Sequence, residues 1–345
     1  MTPPKNHLAP WVMITLAAAL ALLFTLVILI AIGASPVEAY GNMFKGAFGS
    51  VNKWADVFVA WVPLVLCAVG LSFTFAAGLW NIGIEGQMVM GAIAATWAAR
   101  SLDLPSFILI PLIFISGLAG GALWASLTGF LRIYGRVHEI FAGLGLNFVA
   151  VGATNFLIFG PWKQPGTATM SGTEFFRPSA LLPDLFNLSL GPVEMTLAVL
   201  VILGSVFALR GTMWGLKLKA VGSNPSASFF LGVKVDKNIL LAFGLAGALA
   251  GAAGAIQAIG LYHRLVPSIS SGYGYLAILV VLLTGNQTLW IAPVAFFFAA
   301  ANKGSLQLPM VMQLDSSLGG VLQEMLVLFV VLARGVQARI WRQKT

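Results

Sequence analysis

The side chains best placed to do chemistry in this 345-residue chain lie in one stretch, Gly78-Leu-Trp-Asn-Ile-Gly-Ile-Glu-Gly-Gln-Met-Val-Met-Gly-Ala. There Asn81, Glu85 and Gln87, with glycines at 78, 83 and 86, interrupt two apolar runs. Unpaired polar groups in hydrocarbon cost several kcal/mol, so such residues are rare there and signal use. The pattern predicts a broken helix whose free backbone amides, together with Asn81, Glu85 and Gln87, face a polar cavity able to hold a small hydrophilic solute. The plainer alternative is a cytoplasmic turn with Glu85 in water. A second stretch, Gly272-Tyr-Gly-Tyr-Leu-Ala-Ile, opens a short apolar run that closes at Gly285 and Asn286. Trp80, Tyr273 and Tyr275 flank the two broken segments and offer flat faces on which a nucleobase gains roughly 1–3 kcal/mol by stacking. Interfacial anchoring is the alternative use of each aromatic alone. Asn147, Gln257 and Asn302 are further polar residues within apolar runs. Each alone suits a helix-to-helix hydrogen bond, and together they suggest a polar path.

No catalytic constellation accompanies them. His7, His138 and His263 are scattered, with no partner at metal spacing, so no metal site is expected. Cys67 is the single cysteine, which excludes an intramolecular disulfide and a Cys-based metal site. No Ser-His-Asp order and no HExxH stands out. Nowhere does Gly-x-x-x-x-Gly precede Lys-Ser or Lys-Thr, so the chain lacks this device for cradling ATP.

The elements that must hold these residues follow from composition. The chain is 59% hydrophobic and 9% charged, against about 45–50% and about 25% in soluble domains. It reads as an all-α integral membrane protein. Apolar runs fall at 11–33, 58–78, 84–99, 107–130, 140–160, 193–209, 239–260, 273–285, 288–302 and 320–333. That makes about ten transmembrane or half-membrane helices, the runs at 84–99, 273–285 and 288–302 being short enough for re-entrant pieces. Two glycine-broken segments in corresponding halves point to an internal repeat. Glycines at 244, 247, 251 and 254 line one helix face and suit close packing.

Charge sets the orientation. With both termini cytoplasmic, the inner segments hold twelve basic and two acidic side chains, and the outer segments hold seven of each. Positive-inside bias selects this arrangement. The net charge of +8 is thereby a matter of topology, and no nucleic-acid partner is read from it. The chain divides into a cytoplasmic stub (1–10), a single membrane domain (11–333) and a basic cytoplasmic tail (334–345). Within the domain, 161–192 is expected as an external loop able to receive an outside partner, and 211–238 as the longest internal segment. In the latter, Asn224 before Pro225 can cap a short helix on the cytoplasmic face.

Taken in order, these motifs resemble permease subunits of bacterial ABC importers for nucleosides or simple sugars, within the ribose-type and branched-chain permease superfamily. The likeness is carried by Asn81-Ile-Gly-Ile-Glu-Gly-Gln-Met with Met90-Gly-Ala, and by His138-Glu-Ile followed by Leu146-Asn-Phe and Phe159-Gly-Pro-Trp-Lys. Leu218-Lys-Ala-Val-Gly-Ser-Asn-Pro-Ser-Ala and Gly272-Tyr-Gly-Tyr-Leu-Ala-Ile complete it. The resemblance implies a multi-pass plasma-membrane (inner-membrane) subunit that is not an enzyme and holds no cofactor. ATP would be hydrolysed on a separate cytoplasmic ATPase, beside a second homologous permease and an extracytoplasmic solute-binding protein. It also implies that 215–234 is a coupling loop docking on the ATPase, with Lys217, Lys219, Gly222, Asn224, Pro225, Ser226 and Ala227 as its contact residues. A nucleoside is favoured over a sugar as solute. The rival reading is a secondary transporter with Glu85 or Glu324 carrying a coupling proton.

Overall fold

A computed structural model of the chain describes residues 8–164, 171–183, 191–285, 287–315 and 317–342. The described residues contain fourteen α-helices and no named strand. In chain order they are α1 (Leu8–Ala31), α2 (Pro36–Phe48), α3 (Val51–Ala76), α4 (Ile84–Ser101), α5 (Ser106–Ile133), α6 (Glu139–Phe159) and α7 (Pro192–Gly211). They continue with α8 (Met213–Ser223), α9 (Pro225–Phe230), α10 (Val235–Ile256), α11 (Tyr273–Thr284), α12 (Thr288–Ser305), α13 (Gln307–Met312) and α14 (Ser317–Arg342). Each of the ten predicted apolar runs coincides with a helix. Six described stretches are long and apolar enough to cross a membrane, or seven if α1 and α2, bent by 113°, count as one broken span. The run at 288–302, expected as a short piece, belongs to a stretch Thr288–Met312 that meets the length of a span. At 12 residues, α11 rises about 18 Å and falls short of the ~30 Å hydrocarbon core.

The chain forms two compact units. The larger runs from Phe58 to Ala295. Its centre is a three-helix contact of α4, α5 and α10 built on absent side chains. A Cβ on Gly251 would overlap the carbonyl of Gly117 and lie 3.1 Å from Gly121 Cα, and one on Gly91 would overlap Gly251 itself. One on Gly254 would overlap the Met88 carbonyl. Lipid tails are as apolar as leucine, so burial gives helices little reason to associate in a membrane. Small residues let backbones approach and gain dispersion contacts instead. Of the predicted glycine face, 247, 251 and 254 pack in this way. Gly244 differs, since a Cβ there would meet only Ser126 Oγ at 3.7 Å.

Helix α10 runs on into a π-helical turn, Gln257–Tyr262, which ends at His263 in the left-handed region. Segment 171–183 lies along this turn as a strap. The Thr173 and Phe176 amides donate to Leu265 and His263 carbonyls at 2.9 and 2.8 Å. Phe176, Ala180 and Leu182 then pack into a core with Ile259, Leu265 and Ile269.

The smaller unit comprises residues 1–57 and 296–345. In it, Leu29 and Ala39 pack with Leu308 and Leu318, and Phe24 meets Phe329 edge-on at 6.2 Å. Gly304 is held against the Met43 carbonyl too closely for any Cβ.

Candidate functional site

The turn 77–83 is forced by its end. Helix α3 stops where Gly78 takes φ +74°, a conformation glycine adopts without steric cost, while the Leu79 amide donates back to Thr74 at 2.9 Å. The turn is then closed by its own side chains. Asn81 Nδ2 donates to Gln87 Oε1 at 3.0 Å, and Gln87 Nε2 donates to Asn81 Oδ1 at 2.8 Å. Both amides are buried, so the reciprocal pair satisfies groups that would otherwise be costly.

Asn147, one face of α6, staples the turn from outside. Its Oδ1 accepts from the Gly86 amide at 2.8 Å, and its Nδ2 donates to the Ile82 carbonyl at 3.0 Å and to Tyr275 Oη at 3.3 Å. The approach requires glycine on both sides: a Cβ on Gly143 would lie 2.6 Å from the Gly83 amide nitrogen.

Glu85 joins the two glycine-broken segments directly. One carboxylate oxygen accepts from Ser270 Oγ at 2.5 Å and the other from the Gly274 amide at 2.8 Å. The carboxylate thus caps a free amide at the start of α11, where partial positive charge favours an anion. Gly274 is obligatory here, since a Cβ would lie 2.7 Å from Glu85 Cα. Glu85 is buried, which rules out a turn with this carboxylate in water.

Around this node the predicted residues separate by exposure. Trp80 is 42% exposed and Tyr275 45%, whereas Tyr273 is buried. Trp80 leans on Phe75 with ring centroids 5.2 Å apart. Gln257 sits in the π turn, its amide facing the Tyr273 hydroxyl without a well-formed hydrogen bond. Asn302 belongs to the smaller unit, half-buried on α12.

Segment 211–238 contains α8 and α9 and runs into the start of α10. Asn224 Oδ1 accepts from the Ala227 amide at 2.9 Å, capping α9 as the Asn-Pro pair predicts. Lys217, Lys219, Asn224, Pro225, Ser226 and Ala227 are exposed, and Gly222 is half-buried. Gly222 presses on the end of α3: a Cβ there would overlap the Ala76 carbonyl and lie 2.9 Å from the Gly78 amide nitrogen.

Several residues escaped the sequence reading. Ser270 carried no signal apart from lying before the second glycine motif. Glu139 is buried, 2.9 Å from Arg132 Nε, and accepts from the Trp80 amide at 3.5 Å. Glu194 is buried in the first turn of α7 beside Gly260. Phe229, Phe230 and Leu231 are exposed at the tip of α9. Among the described residues no three metal-ligating side chains cluster. The arrangement holds backbones in place and offers two exposed aromatic faces, those of Trp80 and Tyr275.

Known proteins share this pattern. The glucose ABC transporter permease protein TsgB13 of Haloferax volcanii is 32% identical over 343 residues, covering 95% of this chain and 90% of the relative. The guanosine ABC transporter permease protein NupP of Bacillus subtilis is 30% identical over 331 residues, covering 94% and 93%. Among solved structures, PsaBC from Streptococcus pneumoniae in complex with Fab aligns with TM-score 0.48 at 14% identity, over 85% of this chain and 95% of that one. Residues 54–332 match the family described as branched-chain amino acid transport system / permease component. The chain is therefore a member of that permease family, a multi-pass membrane transport component and not an enzyme.

Proposed function

We propose that this chain is the permease subunit of an ATP-driven importer in the plasma membrane, passing a nucleoside or simple sugar inward by alternating access. The observation that carries this is likeness along nearly the whole chain to permeases named for guanosine and for glucose. ATP is bound by a separate ATPase, solute arrives from an extracytoplasmic binding protein, and a second homologous permease completes the pathway. The termini and segment 211–238 lie on the cytoplasmic side, where exposed Lys217, Lys219 and the capped α9 meet the ATPase.

Of the residues assigned to the path, Trp80 and Tyr275 make the solute contacts, because they alone among its aromatics are exposed. Asn81, Glu85, Gln87 and Asn147 position them, with Gln257 and Tyr273 as further polar groups of the path. A nucleoside is favoured over a sugar because an aromatic face stacks on a nucleobase better than on a saturated ring. A proton-coupled mechanism is disfavoured, since Glu85 is occupied by the Ser270 hydroxyl and the Gly274 amide, and Glu324 is exposed.

The test is uptake of labelled guanosine and of labelled glucose by cells expressing the complete importer. Loss of uptake on ATP depletion, with uptake retained when the proton gradient is collapsed, is expected. The reverse pattern identifies a secondary transporter.

A further inference from the structure

Outside the polar node, the larger unit has a groove of about 1090 Å³ between α5 and α10. Sites for small molecules run roughly 300–1,000 Å³, so this space suits a long ligand. Its floor is made of small residues, Ala122 and Ser126 from α5 with Gly244 and Ala248 from α10, and Leu240, Leu241 and Leu245 form a wall. From Val235 to Ala248 the lining climbs about 20 Å along α10, somewhat more than one leaflet, half of the ~30 Å hydrocarbon core. Chemistry changes at one end only. There Lys234, Lys237 and Asp236 line the mouth, flanked by Tyr134 and Phe229. All three charged residues are exposed, and among the described residues neither lysine has an ion-pair partner.

We propose that this groove is the seat of an anionic phospholipid, its acyl chain along the small-residue floor and its phosphate between Lys234 and Lys237. The occupant follows from the pairing of the two ends. An apolar trough of leaflet depth takes hydrocarbon, and a mouth with two unpaired lysines against one carboxylate selects negative charge. The two aromatics at the mouth match the headgroup level, where rings with one wet side settle. Because Lys234 and Lys237 end the segment that carries α9, the lipid would brace that segment. Its placement on the inner leaflet rests on the topology of the proposed importer, whereas the groove and its charge do not.

The full-length chain is reconstituted with equal phosphatidylglycerol and phosphatidylcholine, and retained lipid is counted by native mass spectrometry. Phosphatidylglycerol should be retained preferentially, with the preference falling about fivefold for each of Lys234→Gln and Lys237→Gln. Gly244→Leu should lose retained lipid of both kinds with the protein still folded, since its Cβ meets only Ser126 Oγ at 3.7 Å. Ala248→Met fills the same floor by a second route. Equal retention of the two lipids by wild type overturns the proposal, as does wild-type retention in both floor variants. So does preference unchanged in the lysine variants, or occupancy of the mouth by inorganic phosphate with no lipid retained. Displacement of the lipid by added ATPase subunit would make the groove a protein interface instead. None of these readouts depends on transport, so failure here leaves the importer assignment to its own test.

Discussion

Replacing Glu85 separates a carboxylate that holds a backbone from one that handles solute or protons. In Glu85→Ala, the Ser270 hydroxyl and the Gly274 amide lose their acceptor. Hydrogen bonds to charged groups contribute about 1.5–3 kcal/mol each, and the amides of a helix start cannot turn elsewhere. Two such losses amount to about 3–6 kcal/mol, at the upper end of single-residue effects. In Glu85→Gln the outcome differs because the donors differ. The Ser270 hydroxyl can rotate to accept from the new NH2, leaving the remaining oxygen for Gly274, so only the charge assistance disappears, about 1–2 kcal/mol. The expected order of thermal midpoints in detergent is wild type, then Gln, then Ala well below. Uptake per folded molecule should survive in Gln. The reasoning is refuted if both variants melt with the wild type yet neither transports, since the carboxylate would then act on the cargo.

Other expectations use the same assays. Asn224→Ala with Pro225→Gly removes the cap and the preset start of α9, about 1 kcal/mol for the cap, and should leave membrane insertion intact while ATP hydrolysis by the assembled importer no longer drives uptake. Unchanged uptake and ATPase stimulation would count against a coupling role. Trp80→Leu should weaken nucleoside uptake several-fold at normal protein level; equal uptake removes Trp80 from the path. Gly251→Ala should destabilise by about 1–3 kcal/mol or more, because its Cβ overlaps the Gly117 carbonyl. Gly244→Ala, from the same helix face, should be neutral or stabilising by up to about 1 kcal/mol, and equal melting of the two would show that close backbone packing is not what holds α5 to α10.

What the sequence reveals here is what is encoded locally. Apolar runs mark helices because backbone groups in lipid must pair within their own segment, and each run found its helix. Asn224-Pro225 announces a cap because donor and acceptor lie three residues apart. By contrast, the partners of the glycine motif are distant: Glu85 meets Ser270 and Gly274 at separations of 185 and 189 residues, and Gly86 meets Asn147 at 61. No periodicity carries such information. The strap 171–183 was equally hidden, since it is bound through backbone amides that every sequence possesses. The burial of Glu194 is equally hidden, since it is decided by what packs over the first turn of α7. Helix α2 went unmarked because it is amphipathic and short, bearing Glu38 and Lys45 within its 13 residues.

The contact between Gly222 and the end of α3 ties these strands together. Helix α8, next to the capped α9, touches the carbonyl of Ala76 and the amide of Gly78 with no side chain between them. Five residues beyond Ala76 the Asn81–Gln87 pair begins, and through Glu85 that turn holds the start of α11. A side chain at the junction would absorb a small displacement by changing rotamer, but two backbones in contact cannot. Packed interiors transmit such shifts because they are stiff, and here the stiff route runs from the surface proposed to meet the ATPase to the two segments that carry Trp80 and Tyr275. The glycine at 222 is thus explained by proximity and not by flexibility, since among the described residues its backbone takes an ordinary helical conformation while Gly78 opposite takes the positive φ.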